Sequence, residues 1–285
     1  MIGQKNLINR LEVMMSHARF IILVGDTGSG RKTLIDECIY ENLKDTHTKW
    51  ELSDSSVDSV REMRTDAYSS THRLYVMPDT DGMSPAAKNA LLKIVEDCPN
   101  NHIYVMTLQD INNMPDTIRS RAMVFYMDKY SIAELIEYYD SKYDDESVRS
   151  YIKDLCDNPE DIDRLVNIDV DALYSFVQKT INNIVSAPLY NVYKVANSIA
   201  IKESDEEKYD LVFFWRCVIK CCSEAMLMAL SDKDYDTALY NASLEKVTSQ
   251  CLGKLGMKSV NKTMLFDKWI HNVRNSCREY IGEDR

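Results

Sequence analysis

The sequence predicts an α/β fold, a parallel sheet wrapped by helices and followed by an all-helical remainder. Three observations predict it. Up to about residue 127, short apolar runs alternate with longer mixed segments, the rhythm of strand and helix units around a parallel sheet. The first run, Phe20–Val24, opens directly onto a glycine-rich turn at the head of a helix. After Tyr126 the strand signal stops, and apolar residues recur at three- and four-residue spacing.

Strands are expected at Phe20–Val24, Thr48–Leu52, Arg73–Met77, His102–Thr107 and Ala122–Tyr126. Helices are expected at Lys32–Leu43, Val57–Ala67 and Pro85–Asp97, the last with Ser84 as N-cap and Pro85 in its first turn. The segments Ser131–Tyr139, Glu146–Leu155, Pro159–Val166 and Val170–Ile184 read as a small helical lid. From about Pro188, the amphipathic runs Leu189–Ile201, Glu206–Leu230, Tyr235–Leu252 and Val260–Tyr280 read as a third, all-helical domain, or collar. The expected division is 1–127, 128–186 and 187–285.

Composition narrows the function classes. The 285 residues are 45% hydrophobic and 28% charged, with eight glycines and six prolines, as in an ordinary helix-rich globular chain. No apolar run approaches the roughly 18 residues of a membrane span, and the start lacks a signal core, so a soluble intracellular protein is expected. The eight cysteines, at 38, 98, 156, 217, 221, 222, 251 and 277, never take CxxC spacing, which argues for reduced thiols and against a zinc ribbon. Cys217 and Cys221 stand four apart on one expected helix, where a thiol-lined core face outweighs a metal site. A net charge of −11 argues against a protein that wraps nucleic acid alone, since phosphate binding leans on clustered Lys and Arg.

Gly25-Asp26-Thr27-Gly28-Ser29-Gly30-Arg31-Lys32-Thr33 follows a strand and opens a helix, the context a phosphate-cradling loop requires. Such a loop reads GxxxxGK[ST], with Lys on the terminal phosphates and a hydroxyl on magnesium. Registering Gly25 and Gly30 on the motif glycines puts Arg31 at the Lys position and Lys32 at the hydroxyl position. A one-residue bulge would instead bring Lys32 and Thr33 into those roles. Downstream, the run Leu74-Tyr75-Val76-Met77 leads into Pro78-Asp79, where a working site has Asp-Glu for magnesium and water. Pro78 offers no ligand, and Asp79 is one methylene shorter than the Glu it replaces.

Several stretches resemble one family. Gly3-Gln4 with Leu7 and Leu11 resembles the opening "GQ" box of clamp-loader ATPases, and the segment 56–64 resembles their "VDxIREI" element. Residues 79–97, with Asn89-Ala90-Leu91-Leu92-Lys93 at their centre, are similar to the family's "DEADxMTxxAxNALLKxLEEP" stretch. Thr117-Ile118-Arg119-Ser120-Arg121-Ala122 matches "TIRSRC" except for Ala122. The chain thus resembles AAA+ clamp-loader subunits of the delta-prime and replication factor C small-subunit kind.

The resemblance implies a AAA+ phosphate-loop module followed by a lid and a collar. It implies that Arg121 is an arginine finger serving a neighbouring subunit's ATP site. Gly25, Gly28, Gly30, Arg31, Lys32, Thr33 and Asp79 would line this chain's own nucleotide site, holding ATP or ADP weakly or not at all. Magnesium would work in partner subunits. Thr107–Asp110 falls where the family's first sensor lies, and the lid's sensor arginine falls on Asp161, with Arg164 one turn on. The zinc module of bacterial delta-prime subunits has no counterpart, because residues 44–50 lack cysteine. Implied partners are sister AAA+ subunits in a hetero-pentamer, a sliding clamp and primer-template DNA, in the cytoplasm of a bacterium or a phage-infected cell. Lys88 and Asn89 lie where relatives line the DNA chamber, although a solvated helix face explains them as well. Two alternatives stay open: an active ATPase using a shifted loop, and a AAA+ helicase loader or regulator.

Overall fold

A computed structural model describes residues 3–15, 17–66, 71–97, 101–143, 146–186, 210–255 and 260–280. The chain forms two compact units, residues 1–144 with 157–162, and residues 145–156 with 163–285. The expected collar helix Leu189–Ile201 lies outside the described residues.

The first unit is built on a five-stranded sheet: β1 (Phe20–Val24), β2 (Thr48–Glu51), β3 (Arg73–Met77), β4 (His102–Leu108) and β5 (Met123–Tyr126). All neighbours pair parallel, in the order β2-β3-β4-β1-β5. The central strands are apolar throughout because both faces are covered. Ile22, Tyr75 and Met106 face the helices Val57–Asp66 and Pro85–Asp97, while Ile21, Leu74 and Val105 face Lys5–Met15 and the helix that begins at Arg31. That helix runs through a π-helical stretch, Ile35–Tyr40, before ending as Glu41–Leu43.

Expected and observed elements differ mainly at their ends. The strand expected from Ala122 starts at Met123, because the Arg121 and Ala122 N–H groups still donate to Ile118 and Arg119 in the preceding turn. Ser84 caps its helix as expected, accepting from Ala87 N at 3.2 Å. The helix expected over Glu146–Leu155 is reduced to a 3₁₀ turn, Arg149–Tyr151, leading into Ile152–Leu155. Ser131 and Glu134 close a capping box at the head of Ile132–Lys142.

The second unit packs Val170–Ser186, Leu211–Ser231, Tyr235–Leu252 and Lys262–Tyr280 around an aromatic centre. Phe213, Phe214, Trp215, Phe266 and Trp269 are each at most 1% exposed, so Phe213-Phe214-Trp215 is core and not a stacking platform. Cys217 and Cys222 are buried beside them, and burial pushes both thiols up to about 12. They are inert packing at neutral pH.

One polar contact fixes the register of this core. Trp269 Nε1 donates to Thr248 Oγ1 at 2.8 Å, and both residues are fully buried. Thr248→Val keeps the shape but leaves the indole N–H without an acceptor, which costs roughly 1–3 kcal/mol. A urea midpoint lowered by that amount at unchanged m-value is expected, whereas Thr248→Ser should stay near wild type.

Candidate nucleotide site and arginine edge

The loop after β1 has the shape that its glycines permit. Gly28 and Gly30 sit at φ +79° and +86°, left-handed backbone that side chains rarely adopt. Gly25 is closely overlain: a Cβ there would meet Ser29 Oγ at 2.6 Å and Met127 Cγ at 2.7 Å. The helix begins immediately after Gly30, so its free N–H groups open toward the loop.

Among the three candidate side chains that follow, only Arg31 turns inward. Its side chain is 9% exposed, and Nη2 lies 3.4 Å from Asp79 Oδ1. Nη1 is buried with no hydrogen-bond partner among the described residues. Lys32 and Thr33 are exposed. The observed register therefore sets Gly25 and Gly30 on the motif glycines and Arg31 at the lysine position.

Asp79 is brought to Arg31 by an unusual backbone, φ 46°, and by its N–H, which donates to Thr107 Oγ1 at 2.9 Å. Its own side chain is 72% exposed, so the pair is largely screened and the guanidinium remains short of negative charge. Pro78, just before it, presents no oxygen or nitrogen from its side chain.

The residue that organises this end of the sheet is Asp81, which sequence reasoning passed over. Its carboxylate accepts from Gln109 N at 2.8 Å, Asp110 N at 3.1 Å and Asn113 Nδ2 at 3.0 Å. Partial burial works against the charge, but these hydrogen bonds and nearby Arg31 outweigh it and hold the carboxyl below its ordinary value. The signal was present: Asp81 falls on the last acid of the family's "DEAD" stretch. Gln109, at the expected first-sensor position, donates from Nε2 to Thr27 Oγ1 at 3.1 Å, so β3, β4 and the loop are joined.

The N-terminal box ties in from the other side. Gln4 is 4% exposed and pairs twice with the backbone of Asp128, Nε2 to the carbonyl at 2.6 Å and Oε1 from the N–H at 2.9 Å. The next residues bring Tyr130 OH to the Ser29 carbonyl at 3.3 Å.

Asn158 covers Gly28, its Oδ1 2.5 Å from where a Cβ would stand. Asp161, at the expected sensor position, is 4% exposed and accepts from Asp157 N and Asn158 Nδ2, both at 3.1 Å. Asp161 is thus a buried carboxylate held by its own loop. Arg164 belongs to the second unit, pairs with Asp210 and stands over the Phe213 ring at 5.2 Å.

Arg121 lies at the opposite end of the sheet, before the first residue of β5. Nη1 donates to the Thr117 carbonyl at 2.9 Å, Nη2 stands 3.7 Å from Glu96 Oε1, and the side chain is 45% exposed. The four residues of β5, roughly 13 Å of strand, separate it from the phosphate-loop edge. Lys88 is half-buried and Asn89 exposed. Among the described residues no group of three or more His, Cys, Asp and Glu is placed to hold a metal, and no helix is long and apolar enough to cross a membrane.

A parallel sheet in this order, with a glycine loop after β1 and an acidic turn after β3, is the α/β module of AAA+ proteins. Over almost its whole length the chain is similar in fold to a DNA polymerase III gamma subunit-related protein of Thermotoga maritima, with a TM-score of 0.52 at 12% identity, covering 94% of this chain and 99% of that one. The RuvB Holliday junction branch migration motor of the same organism gives 0.47 at 17% identity over 78% of this chain and 76% of its own.

Sequence comparison adds two partial matches. Residues 31–131 match the family described as DNA polymerase III, delta subunit. Replication factor C subunit 3 of Schizosaccharomyces pombe is 27% identical over 137 residues, 44% of this chain and 40% of that relative's length.

Asp81 gives a direct test of the site's architecture. Asp81→Asn keeps the shape but loses charge-assisted acceptance of two backbone N–H groups, a cost of about 1 kcal/mol after allowing for partial exposure. Because the folded carboxyl is depressed, its contribution is complete above about pH 4 and is lost as pH falls toward the folded value. The stability difference between wild type and Asp81→Asn, from denaturant midpoints, should therefore shrink below pH 4.

Proposed function

We propose that this chain is a delta-prime-like clamp-loader subunit in DNA replication, deficient in ATP hydrolysis, that works on its neighbours' ATP. Support for the deficiency comes from its own site. Arg31 supplies charge, Lys32 offers no hydroxyl at the position that needs one, Pro78 supplies no magnesium ligand, and Asp161 sets a carboxylate where a sensor cation would act. ATP or ADP would then be held weakly by loop N–H groups and Arg31 or not at all, with magnesium chemistry confined to partner subunits. The shifted-loop ATPase finds less support, because Lys32 and Thr33 face solvent.

The observation that carries the proposal is the position of Arg121. A half-exposed guanidinium, steadied by Glu96 and the Thr117 carbonyl, stands at the edge its own phosphate loop cannot reach. On this reading Arg121 is a finger that neutralises charge developing on a neighbour's transferred phosphoryl group. The proposed assembly is a hetero-pentamer of AAA+ subunits that opens a sliding clamp onto primer-template DNA, with residues 1–127 as nucleotide module, 128–186 as lid and 187–285 as collar. The proposed location is the cytoplasm.

Arg121→Ala should leave the chain folded and able to assemble, yet lower the DNA- and clamp-stimulated ATPase of the reconstituted complex. Fingers of this kind are worth roughly 10³ to 10⁵ at the site they serve, so one competent site among several should fall silent. Arg121→Lys should rescue little, since an ammonium lacks the planar fork. Equal stimulated phosphate release and equal clamp loading in matched complexes would reduce Arg121 to a surface residue.

A further inference from the structure

The chain leans on its own glycine loop at three points. Gln109 Nε2 donates to Thr27 Oγ1 at 3.1 Å, Tyr130 OH donates to the Ser29 carbonyl at 3.3 Å, and the Asn158 side chain lies on Gly28. The carbon, oxygen and nitrogen of that side-chain amide stand 2.5 to 2.8 Å from where a Gly28 Cβ would be. Asn158 and the loop belong to the same compact unit.

Asn158 is held in this position. Its Oδ1 accepts from Asp161 N at 2.9 Å, and its Nδ2 donates to Asp161 Oδ2 at 3.1 Å. The same carboxylate oxygen accepts from Asp157 N at 3.1 Å, and Asp161 is 4% exposed. Capping of the helix Pro159–Leu165 accounts for the bond to Asp161 N, and a serine hydroxyl would serve it equally. Capping does not require a side chain long enough to rest on Gly28.

The two sides of the loop pull in opposite directions. Arg31, with Nη1 buried and lacking a partner among the described residues, favours an anion on the loop. Asn158 covers Gly28, and close behind its amide stands the buried carboxylate of Asp161, whose charge is weakly screened and repels an anion. A phosphate seated on the loop would have to share Gly28 with this amide.

Resting on the proposed reading of the loop as this chain's own nucleotide site, we propose that Asn158 is a specificity-determining residue of that site and Asp161 its positioning residue. Asn158 occupies the place over Gly28 that a nucleoside di- or triphosphate needs, and so denies the loop to one. Weak binding is then imposed by a side chain in contact with the loop, in addition to the missing magnesium ligands. Shortening that side chain should raise affinity for nucleotide without creating a dependence on magnesium.

The test is calorimetric titration of the full chain with ADP, in chelator and again with Mg²⁺. Asn158→Ser keeps a capping hydroxyl and withdraws the amide, and Asn158→Gly removes the side chain at a position where glycine caps nearly as well. Both variants should bind ADP about five times more tightly than wild type or better, alike with and without Mg²⁺, at unchanged circular dichroism. Arg31→Ala in the Asn158→Ser background should abolish the gain. ADP binding by both variants that is no tighter than wild type overturns the role of Asn158, and so does a gain that survives Arg31→Ala. Magnesium-dependent turnover by the wild-type chain would contradict the proposed ATPase deficiency, while the ratio of variant to wild-type affinity would still decide on Asn158.

Discussion

An all-parallel sheet ends every strand at one edge and begins every strand at the other, and the chemistry of this chain divides along that line. At the edge where strands end stand the glycine loop, Asp79, Asp81 and Gln109. At the edge where strands begin stands Arg121. No side chain at one edge can serve the other across a strand. The proposed division of labour, weak phosphate holding at one end and a finger offered outward at the other, is a consequence of strand direction before it is a matter of residue identity.

Charge decides what the first edge can do. A buried guanidinium faces a large desolvation cost unless negative charge stands close by. Arg31 has only the screened carboxylate of Asp79, and one of its terminal nitrogens has no acceptor. An anion cradled by the loop would complete it. Asp81, by contrast, is fully engaged by backbone N–H groups and Asn113, so its negative charge is already spent on architecture. On the proposed reading, Pro78 adds no ligand to these two acids and magnesium is not held here.

Much of this was legible in the sequence, and for definite reasons. Four of the five strands of the first unit are short, mostly apolar runs bounded by polar breaks, Thr48–Glu51 being the polar exception, and each was placed within two residues of its observed ends. The loop was legible because glycine at Gly28 and Gly30 is needed for left-handed backbone. The choice between Arg31 and Lys32 was not legible, because it depends on which side chain turns inward, and spacing alone allows both. Asp81 was passed over because its partners Gln109, Asp110 and Asn113 are some 28 to 32 residues away in the chain. Asn158 over Gly28 is likewise a contact between distant segments that no local pattern announces.

The claim on which the proposed function turns is that the chain's own phosphate site lacks magnesium chemistry. Calorimetric titration of the isolated chain with ATP and with ADP, each with and without Mg²⁺ and paired with phosphate-release measurements, tests it most directly. The expected result is affinity, weak or absent, that does not change with Mg²⁺, and no turnover above background. Tighter binding of ATP with Mg²⁺, together with phosphate release that Lys32→Ala abolishes, would contradict it and establish the shifted loop.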